Sequence, residues 1–213
     1  MKNIKVIAFD VDGTILNTDE IYFNILKKQL LEEGVCLSKK FYGKYGLDDS
    51  LYSLNLDPIL TKSVKQKVTH DYYHNDQLAN IKLKTGVFET IQTLSRDYQL
   101  AIASGEKLGR IKKYLTYFNL EHYIDFIAHG ELVEGRKDNP EYFLRIANYY
   151  GVTPQECLMI GDSVTDLKAT EVGFQTLIIP TEFTQHATWS NDVIFLNSAD
   201  EIPRYLKDKI VKS

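Results

Sequence analysis

The chain has 213 residues, of which 44% are hydrophobic, as is typical of a soluble globular protein with a sizeable core in one or two domains. Its formal net charge of −4 gives no sign of binding to nucleic acid or anionic membranes, and no apolar run approaches the length of a membrane span. The chain has two cysteines without a paired spacing, which predicts reduced thiols. Its amino terminus does not resemble a signal peptide, so we expect a cytoplasmic protein.

The first predicted element is a strand, "IKVIAFD" at residues 4–10, which is followed by a second aspartate, Asp12. The run is rich in β-branched residues, as expected for a strand that is buried on both faces. Side chains two apart on a strand point to the same side, so Asp10 and Asp12 would converge just past the strand end, where Gly13 permits a sharp turn. Two such carboxylates repel each other unless a cation or a shared proton relieves them, so this stretch favours chemistry over a simple turn.

The next segment, residues 18–80, shows helical periodicity and no strand pattern. One helix is predicted at 18–34 and another at 57–76, where Asp57 is the expected N-cap and Pro58 the first helical residue. This insertion is far longer than the usual loop between a strand and the following helix. Long insertions at strand ends are often lids, so we expect it to cover a site.

Strands and helices alternate along the rest of the chain. Further strands are predicted at 99–104, 125–130, 157–162, 176–180 and 192–197, and helices at 86–98, 107–120 and 139–151. This alternation predicts an α/β fold with a Rossmann-like parallel sheet and helices on both faces. We expect a catalytic core of residues 1–16 and 81–213, with an inserted α-helical cap domain at residues 17–80.

Three of the predicted strands end in polar residues, namely Asp10, Ser104 and Asp162. Ligands of such sheets bind beyond the carboxyl ends of the strands. Ser104 and Gly105 offer a hydroxyl and a backbone N–H group before a helix, which suits an oxyanion or phosphate but also a routine turn. Asp162 and Asp166 form either a separate acidic site or a partner for Asp10 around a shared cation. Helix capping by Asp162 explains the same polarity without excluding chemistry.

Four stretches together resemble the haloacid dehalogenase superfamily of aspartate-nucleophile phosphotransferases, in the helical-cap group that includes phosphoglycolate phosphatase and β-phosphoglucomutase. They are D-V-D-G-T at residues 10–14, Ser104, Lys137, and G-D-S-V-T-D at residues 161–166. The first and fourth motifs are specific in this order, whereas the second and third are not specific by themselves. The third motif commonly reads Lys-Pro-x-Pro, and in this chain residues 137–140 keep only the second proline.

The resemblance implies a chemical role for each acidic residue. Asp10 would attack the substrate phosphorus, and Asp12 would protonate the leaving oxygen and then activate water. Mg²⁺ would sit between Asp10, the backbone carbonyl of Asp12 and Asp162. Asp166 would support the metal shell or hold Lys137.

The resemblance also implies where the substrate binds. Ser104 and the Gly105 N–H group would bind phosphoryl oxygens, and Lys137 would stabilise their developing charge. The stretch "YGLDD" lies where related caps reach toward the active site, so Tyr45 and Asp48 are predicted substrate contacts.

These expectations combine into a magnesium-dependent phosphatase of a small phosphorylated metabolite, acting as a monomer or weak homodimer. An aspartate at position 12 favours phosphoester chemistry, because the dehalogenase branch has no acidic residue there. A phosphomutase of the β-phosphoglucomutase type would use the same core residues and is the alternative. A non-catalytic binding or regulatory protein is the third possibility, although every catalytic position holds a competent residue.

Overall fold

The computed structural model describes residues 4–42, 51, 53–74, 77–189 and 193–210. Its sheet consists of β1 (Val6–Phe9), β2 (Gln99–Ala103), β3 (Phe126–Ala128), β4 (Cys157–Gly161), β5 (Gln175–Ile178) and β6 (Ile194–Phe195). The strands lie in the order β3-β2-β1-β4-β5-β6, and every neighbouring pair is parallel. The predicted α/β fold is therefore confirmed, with β1 near the centre of the sheet.

The helices separate the strands as the sequence predicts. The main α-helices are α1 (Thr18–Glu32), α2 (Pro58–His74), α3 (Val87–Leu94), α4 (Leu108–Tyr117), α5 (Pro140–Tyr150) and α6 (Glu201–Ile210). Short 3₁₀ helices lie at Gln77–Asn80, Glu121–Tyr123, Arg136–Asp138, Pro154–Glu156 and Asp166–Val172, and the last of these follows β4. Within the described ranges, no helix combines the length and the apolar character that a membrane span requires.

Small residues on the central strands let α5 pack closely on the sheet. Ala8 on β1 and Ala101 on β2 are fully buried in one apolar cluster with Phe143 and Ile146 of α5. Burying an aliphatic or aromatic side chain of this size contributes about 1.5–3 kcal/mol to stability. This packing fixes the central strands, and with them the polar residues that follow those strands.

The chain forms two compact units. The first contains the sheet and consists of Met1–Ile15, Leu83–Pro180 and Trp189–Ser213, and the second consists of Leu16–Lys82 and Thr181–Thr188. The second unit is helical, because α1 and α2 both lie within it. The chain thus leaves the sheet-bearing unit soon after β1 and returns to it just before α3.

The helical unit has its own apolar core. Leu26 and Leu30 of α1 and Val64 and Val68 of α2 are fully buried together. The side chain of Asp57 caps α2 by accepting the backbone N–H group two residues further on, at 2.8 Å. Asp57 is the N-cap that the sequence predicts, and the buried apolar residues recur at helical spacing on both helices.

A segment after β5 also contributes to the helical unit. The ring of Phe183 lies 5.4 Å from that of Phe23 on α1, and it meets the ring of Tyr42 edge-on at 5.7 Å. Residues 181–188 therefore extend the apolar core of the inserted helices, a feature that the alternation of strands and helices did not predict.

Candidate active site

Three neighbouring strands end in polar residues at one edge of the sheet. Asp10 follows β1, Ser104 follows β2 and Asp162 follows β4. Because β1 lies between β2 and β4 and all three are parallel, their carboxyl ends meet at the same edge. All three residues are buried. The strand ends that the sequence singled out are therefore neighbours in space.

A buried acidic cluster forms at this edge. One carboxylate oxygen from each of Asp10, Asp162 and Asp166 lies within 4.8 Å of the others. The backbone N–H group of Asp10 donates to the carbonyl of Ile160 at 2.8 Å, so the β1–β4 ladder extends to the first aspartate. The sheet thereby brings the first and fourth motifs into one group.

The turn after β1 fits closely against Asp162. Gly13 has a φ of +78°, and a Cβ at this position would lie 2.6 Å from Oδ2 of Asp162, so a side chain would displace that carboxylate. The Thr14 hydroxyl donates to Oδ1 of Asp162 at 3.2 Å. The Lys84 ammonium group donates to the carbonyl of Gly13 at 2.8 Å. Sequence reasoning missed Lys84, because nothing in the local pattern marks a lysine 71 residues from its partner.

Lys137 joins the nucleophile candidate to the second acidic motif. Its ammonium nitrogen lies 2.5 Å from Oδ1 of Asp10 and 2.6 Å from Oδ1 of Asp166. The side chain is buried, so these carboxylates replace its water shell. The structure therefore unites the third motif with the first and the fourth.

Asn139 fixes the turn that carries Lys137. Its Oδ1 accepts the N–H group of Glu141 at 3.0 Å, and its Nδ2 donates to the carbonyl of Glu134 at 2.9 Å. Pro140 begins α5, where its missing N–H group costs no hydrogen bond. These contacts fasten the chain on both sides of Lys137, so this lysine has a defined position without the first proline of the usual motif.

Asp166 uses both of its carboxylate oxygens within the protein. Oδ1 accepts from Lys137, while Oδ2 accepts the N–H groups of Asp162 and Ser163 at 3.1 and 3.0 Å and the Ser163 hydroxyl at 2.9 Å. A Cβ on Gly161 would lie 2.2 Å from Cγ of Asp166, so only glycine leaves room for this carboxylate. Asp166 thus anchors Lys137 to the end of β4.

Burial dominates the electrostatics of Asp10. The pKa of its carboxyl group is raised to about 7, and removal from water is the largest cause. The ammonium group of Lys137 lowers this pKa, whereas the negative charges of Asp166 and Asp12 raise it further. Burial alone would lower the pKa of Lys137, but Asp10 and Asp166 outweigh it and hold that pKa above its ordinary value. Lys137 is therefore protonated at neutral pH.

The donor set at this edge fits a divalent cation. Three buried carboxylates lie together, and Lys137 supplies one positive charge against them. Excess negative charge in a buried site is costly unless a cation balances it. Carboxylate oxygens are the ligands that Mg²⁺ prefers, so the residues present are consistent with a metal site.

Hydrogen bonds within the loop and from Tyr142 fix the loop after β2. The Ser104 hydroxyl accepts the N–H group of Glu106 at 3.1 Å. The Tyr142 hydroxyl lies 2.8 Å from the carbonyl oxygen of Ser104 and 2.7 Å from that of Ala128, and donates its one hydrogen between them. Burial raises the pKa of Tyr142, which keeps this donor protonated. Sequence reasoning missed Tyr142, because it occupies an apolar face of α5 and resembles an ordinary core residue.

Gly105 also packs within this loop. A Cβ on Gly130 would lie 2.0 Å from the carbonyl oxygen of Gly105, and the N–H group of Gly130 donates to the carbonyl of Glu106 at 2.8 Å. The backbone next to Ser104 is therefore fixed by close contact with the chain that follows β3.

The remaining predicted residues lie in different settings. Asp12 is partly exposed, and its negative charge contributes to the raised pKa of Asp10. Tyr45 and Asp48, the predicted substrate contacts, lie outside the described residues.

Known proteins share this chain's sequence pattern. Residues 7–179 match the family of haloacid dehalogenase-like hydrolases. The pyrophosphatase PpaX of Halalkalibacterium halodurans is 29% identical over 191 residues, which cover 83% of each chain. The phosphoglycolate phosphatase of Aquifex aeolicus is 27% identical over 177 residues, covering 78% of this chain and 79% of the relative.

A solved structure shares the fold along nearly the whole chain. A haloacid dehalogenase-like family hydrolase from Streptococcus pneumoniae aligns with a TM-score of 0.78 at 22% identity, covering 97% of this chain and 100% of that chain. At this identity, the likeness concerns the fold alone.

Proposed function

The chain belongs to the haloacid dehalogenase-like hydrolases, and we propose that it is a magnesium-dependent phosphatase that hydrolyses a small phosphorylated metabolite through an aspartyl-phosphate. The observation that carries this proposal is the buried Lys137 ammonium group, which contacts Asp10 at 2.5 Å and Asp166 at 2.6 Å beside Asp162. A carboxylate nucleophile and a phosphoryl group are both anionic, and this arrangement places a buried cation where they would meet.

Two steps account for the hydrolysis. In the first, Asp10 attacks phosphorus, the bond to the leaving oxygen breaks, and Asp12 gives that oxygen its proton. In the second, Asp12 takes a proton from water, the water oxygen attacks phosphorus, and the bond to Asp10 breaks. Phosphate is released and both carboxyl groups return to their first state. The partial exposure of Asp12 supports this role, because a proton shuttle must reach both the leaving group and water.

Asp10, Asp162 and the backbone carbonyl of Asp12 would hold Mg²⁺, which supplies positive charge to the phosphoryl oxygens and the nucleophile when bound. Asp166 is better suited to a supporting role, because both of its oxygens already accept hydrogen bonds from the protein. It would keep Lys137 directed at Asp10.

Ser104 and the Gly105 N–H group would bind phosphoryl oxygens beside Asp10. The Ser104 hydroxyl already accepts one hydrogen bond from the Glu106 N–H group, which leaves its own hydrogen for a phosphoryl oxygen. The close contact between Gly130 and Gly105 would keep this loop rigid as charge develops.

The relatives named for pyrophosphate and phosphoglycolate hydrolysis support a small substrate. We assign substrate selection to the inserted helical segment at residues 17–80, with the catalytic core at 1–16 and 81–213. Tyr45 and Asp48 remain our candidates for substrate contact. We also propose that the protein is cytoplasmic and that it is a monomer or a weak homodimer.

Phosphate release from a panel of phosphorylated metabolites tests the proposal, with Mg²⁺ or with a chelator. We expect metal-dependent release by the wild type and a loss of at least about 10⁴-fold in Asp10→Asn, since the amide cannot act as the nucleophile. Asp97→Asn, which changes an exposed aspartate in the same way, serves as the control and keeps wild-type activity.

Three other results would contradict this phosphatase. Conversion of a sugar phosphate without phosphate release would favour a phosphomutase. Binding of phosphorylated compounds without turnover would favour a binding or regulatory protein. Undiminished phosphate release by Asp10→Asn would rule out an aspartyl-phosphate formed on Asp10.

A further inference from the structure

Arg136, directly before Lys137, has an unusual backbone conformation. Its φ is +52°, and the other non-glycine residues with positive φ in the described part of the chain are asparagines, Asn55 and Asn119. Asparagine tolerates the left-handed region, whereas an arginine is strained there. Strained residues persist where the surroundings hold them, often at binding and catalytic sites. The side chain at position 136 is therefore a candidate for a function that offsets this strain.

The Arg136 side chain lies close to Gly105, in the proposed phosphate-binding loop. Its Cδ lies 4.0 Å from the position that a Cβ on Gly105 would take, and no other heavy atom outside the immediate chain neighbours of Gly105 comes as near among the described residues. Gly105 adjoins Ser104, the proposed ligand of the phosphoryl group. The guanidinium group is bonded directly to Cδ, so this side chain is long enough to bring its charge beside the loop.

The charge of Arg136 is available to a ligand. The residue is exposed, and within the described ranges its guanidinium group has no hydrogen bond or ion pair with the protein. Lys137, in contrast, is buried and engaged by Asp10 and Asp166. The two adjacent cations therefore differ in setting, one closed inside the acidic cluster and the other open to solvent.

We propose that Arg136 binds a second anionic group of the substrate, carried by the leaving group. This inference rests on the proposed phosphatase function and narrows its substrates to phosphoanhydrides or phosphoesters whose leaving group bears a phosphate or carboxylate. A planar guanidinium group matches both anions, because it presents two parallel N–H donors to their oxygens. Lys137 and Ser104 would act on the transferred phosphoryl group, while Arg136 would act on the group beyond it.

Two phosphatase substrates separate these roles. Inorganic pyrophosphate has an anionic leaving group, whereas the leaving group of p-nitrophenyl phosphate carries no phosphate or carboxylate. We expect Arg136→Gly to lower the ratio of kcat/KM for pyrophosphate to that for p-nitrophenyl phosphate by roughly 10- to 100-fold, the effect of losing one or two charge-assisted hydrogen bonds. Arg136→Lys retains the charge without the planar fork, so its ratio falls less.

The same variant makes a prediction about stability. Glycine adopts the left-handed region readily, so Arg136→Gly has a melting temperature equal to or above that of the wild type, although its substrate preference is impaired. A purely structural arginine would give the opposite result, a lower melting temperature. Arg96→Gly is the matched control, because Arg96 is exposed in a turn that precedes β2, away from the carboxyl edge of the sheet, and its ratio stays at the wild-type value.

An unchanged ratio in Arg136→Gly, with magnesium-dependent activity on both substrates, would overturn this inference and leave the phosphatase proposal intact. If the wild type hydrolyses neither these two substrates nor any compound of the metabolite panel, the proposed function fails instead. Binding of methylenediphosphonate relative to inorganic phosphate then tests Arg136 without turnover. We expect the wild type to prefer methylenediphosphonate and Arg136→Gly to lose that preference, and an equal preference in the two proteins would refute the role of Arg136.

Discussion

The neighbouring strands β1 and β4 have a close ion pair at their carboxyl ends and another at their amino ends. The pKa of the acidic partner is raised in the first pair and lowered in the second. At the carboxyl end, Lys137 lies 2.5 Å from Asp10, both are buried, and the pKa of Asp10 is raised to about 7. At the amino end, Lys5 lies 2.6 Å from Glu156. There the hydrogen bond from Lys5, together with one from the Thr153 backbone, lowers the pKa of Glu156 to about 2.

Burial, rather than the distance between the charges, accounts for this difference. Moving charged groups out of water costs free energy that even a short ion pair does not fully recover. The partly exposed pair at the amino end avoids most of that cost and simply joins the starts of two neighbouring strands. A buried ion pair is weak support for stability, so the arrangement at the carboxyl end is better explained by chemistry than by folding.

Replacing the lysine at each end tests this contrast most strongly. We expect Lys137→Met to lower kcat/KM for phosphate release by about 100- to 1000-fold, because the developing charge on the phosphoryl group loses a buried cation. Lys5→Met, the same change at the amino end, should leave kcat/KM at the wild-type value. Steady-state assays on the best substrate of the panel measure both.

Equal activity of Lys137→Met and wild type would show that the buried pair is structural after all. Far-ultraviolet circular dichroism and the melting temperature of each variant establish whether a loss of activity comes from unfolding. A loss of activity in a folded Lys137→Met protein assigns the effect to the missing charge.

The anchor of Lys137 gives a smaller expected effect. Asp166 accepts hydrogen bonds on both oxygens, but an amide has one acceptor oxygen, so Asp166→Asn leaves either Lys137 or the Ser163 N–H group facing an NH₂ group. We expect kcat/KM to fall by about 10- to 100-fold, the usual range for a residue that orients a catalytic group. The substrate KM should change less than kcat, since Asp166 would act through Lys137.

Asp138→Asn is the matched control for that variant. Asp138 adjoins Lys137 in sequence but is exposed, so its kcat and KM should equal those of the wild type. A similar loss of activity in both variants would mean that net charge near the site, and not the anchor of Lys137, controls the rate.

The sequence predicts the fold because its signals are local. Apolar runs mark the strands, and helical periodicity marks the segments between them and the inserted helices. The strand ends then identify Asp10, Ser104 and Asp162, since the carboxyl ends of parallel strands meet at one edge. The position of Lys137 came only from the family resemblance, because a lysine before a helix has no distinguishing local pattern.

Contacts between distant segments could not be predicted in this way. Lys84 donates a hydrogen bond to the carbonyl of Gly13, although the inserted helical segment separates the two residues in sequence. Tyr142 donates to the loop at Ser104 from a helix face that is otherwise apolar. The addition of residues 181–188 to the helical unit depends on the packing of Phe183. Each of these depends on distances in the folded chain, which no local pattern encodes.

The amino-end pair gives the smallest expected effect and a distinct pH dependence. Glu156 has a folded pKa of about 2 against an ordinary value of 4.5. Because its folded pKa is depressed, the ionised carboxylate contributes stability that is fully present above about pH 4.5 and is lost as the pH falls through about 2. We therefore expect Glu156→Gln to have a lower melting temperature than the wild type at neutral pH, with unchanged kcat/KM.

That difference in melting temperature should shrink as the pH falls from about 4.5 toward 2, because protonation removes the same charge from the wild type. Scanning calorimetry of both proteins across this range measures it, with Glu134→Gln, a change at an exposed glutamate, as the control. A difference that stays constant with pH would assign the effect to lost packing or capping rather than to charge. A loss of activity in Glu156→Gln would show that the ion pair at the amino ends of β1 and β4 also affects catalysis. It would contradict the conclusion that only the pair at the carboxyl ends has a chemical role.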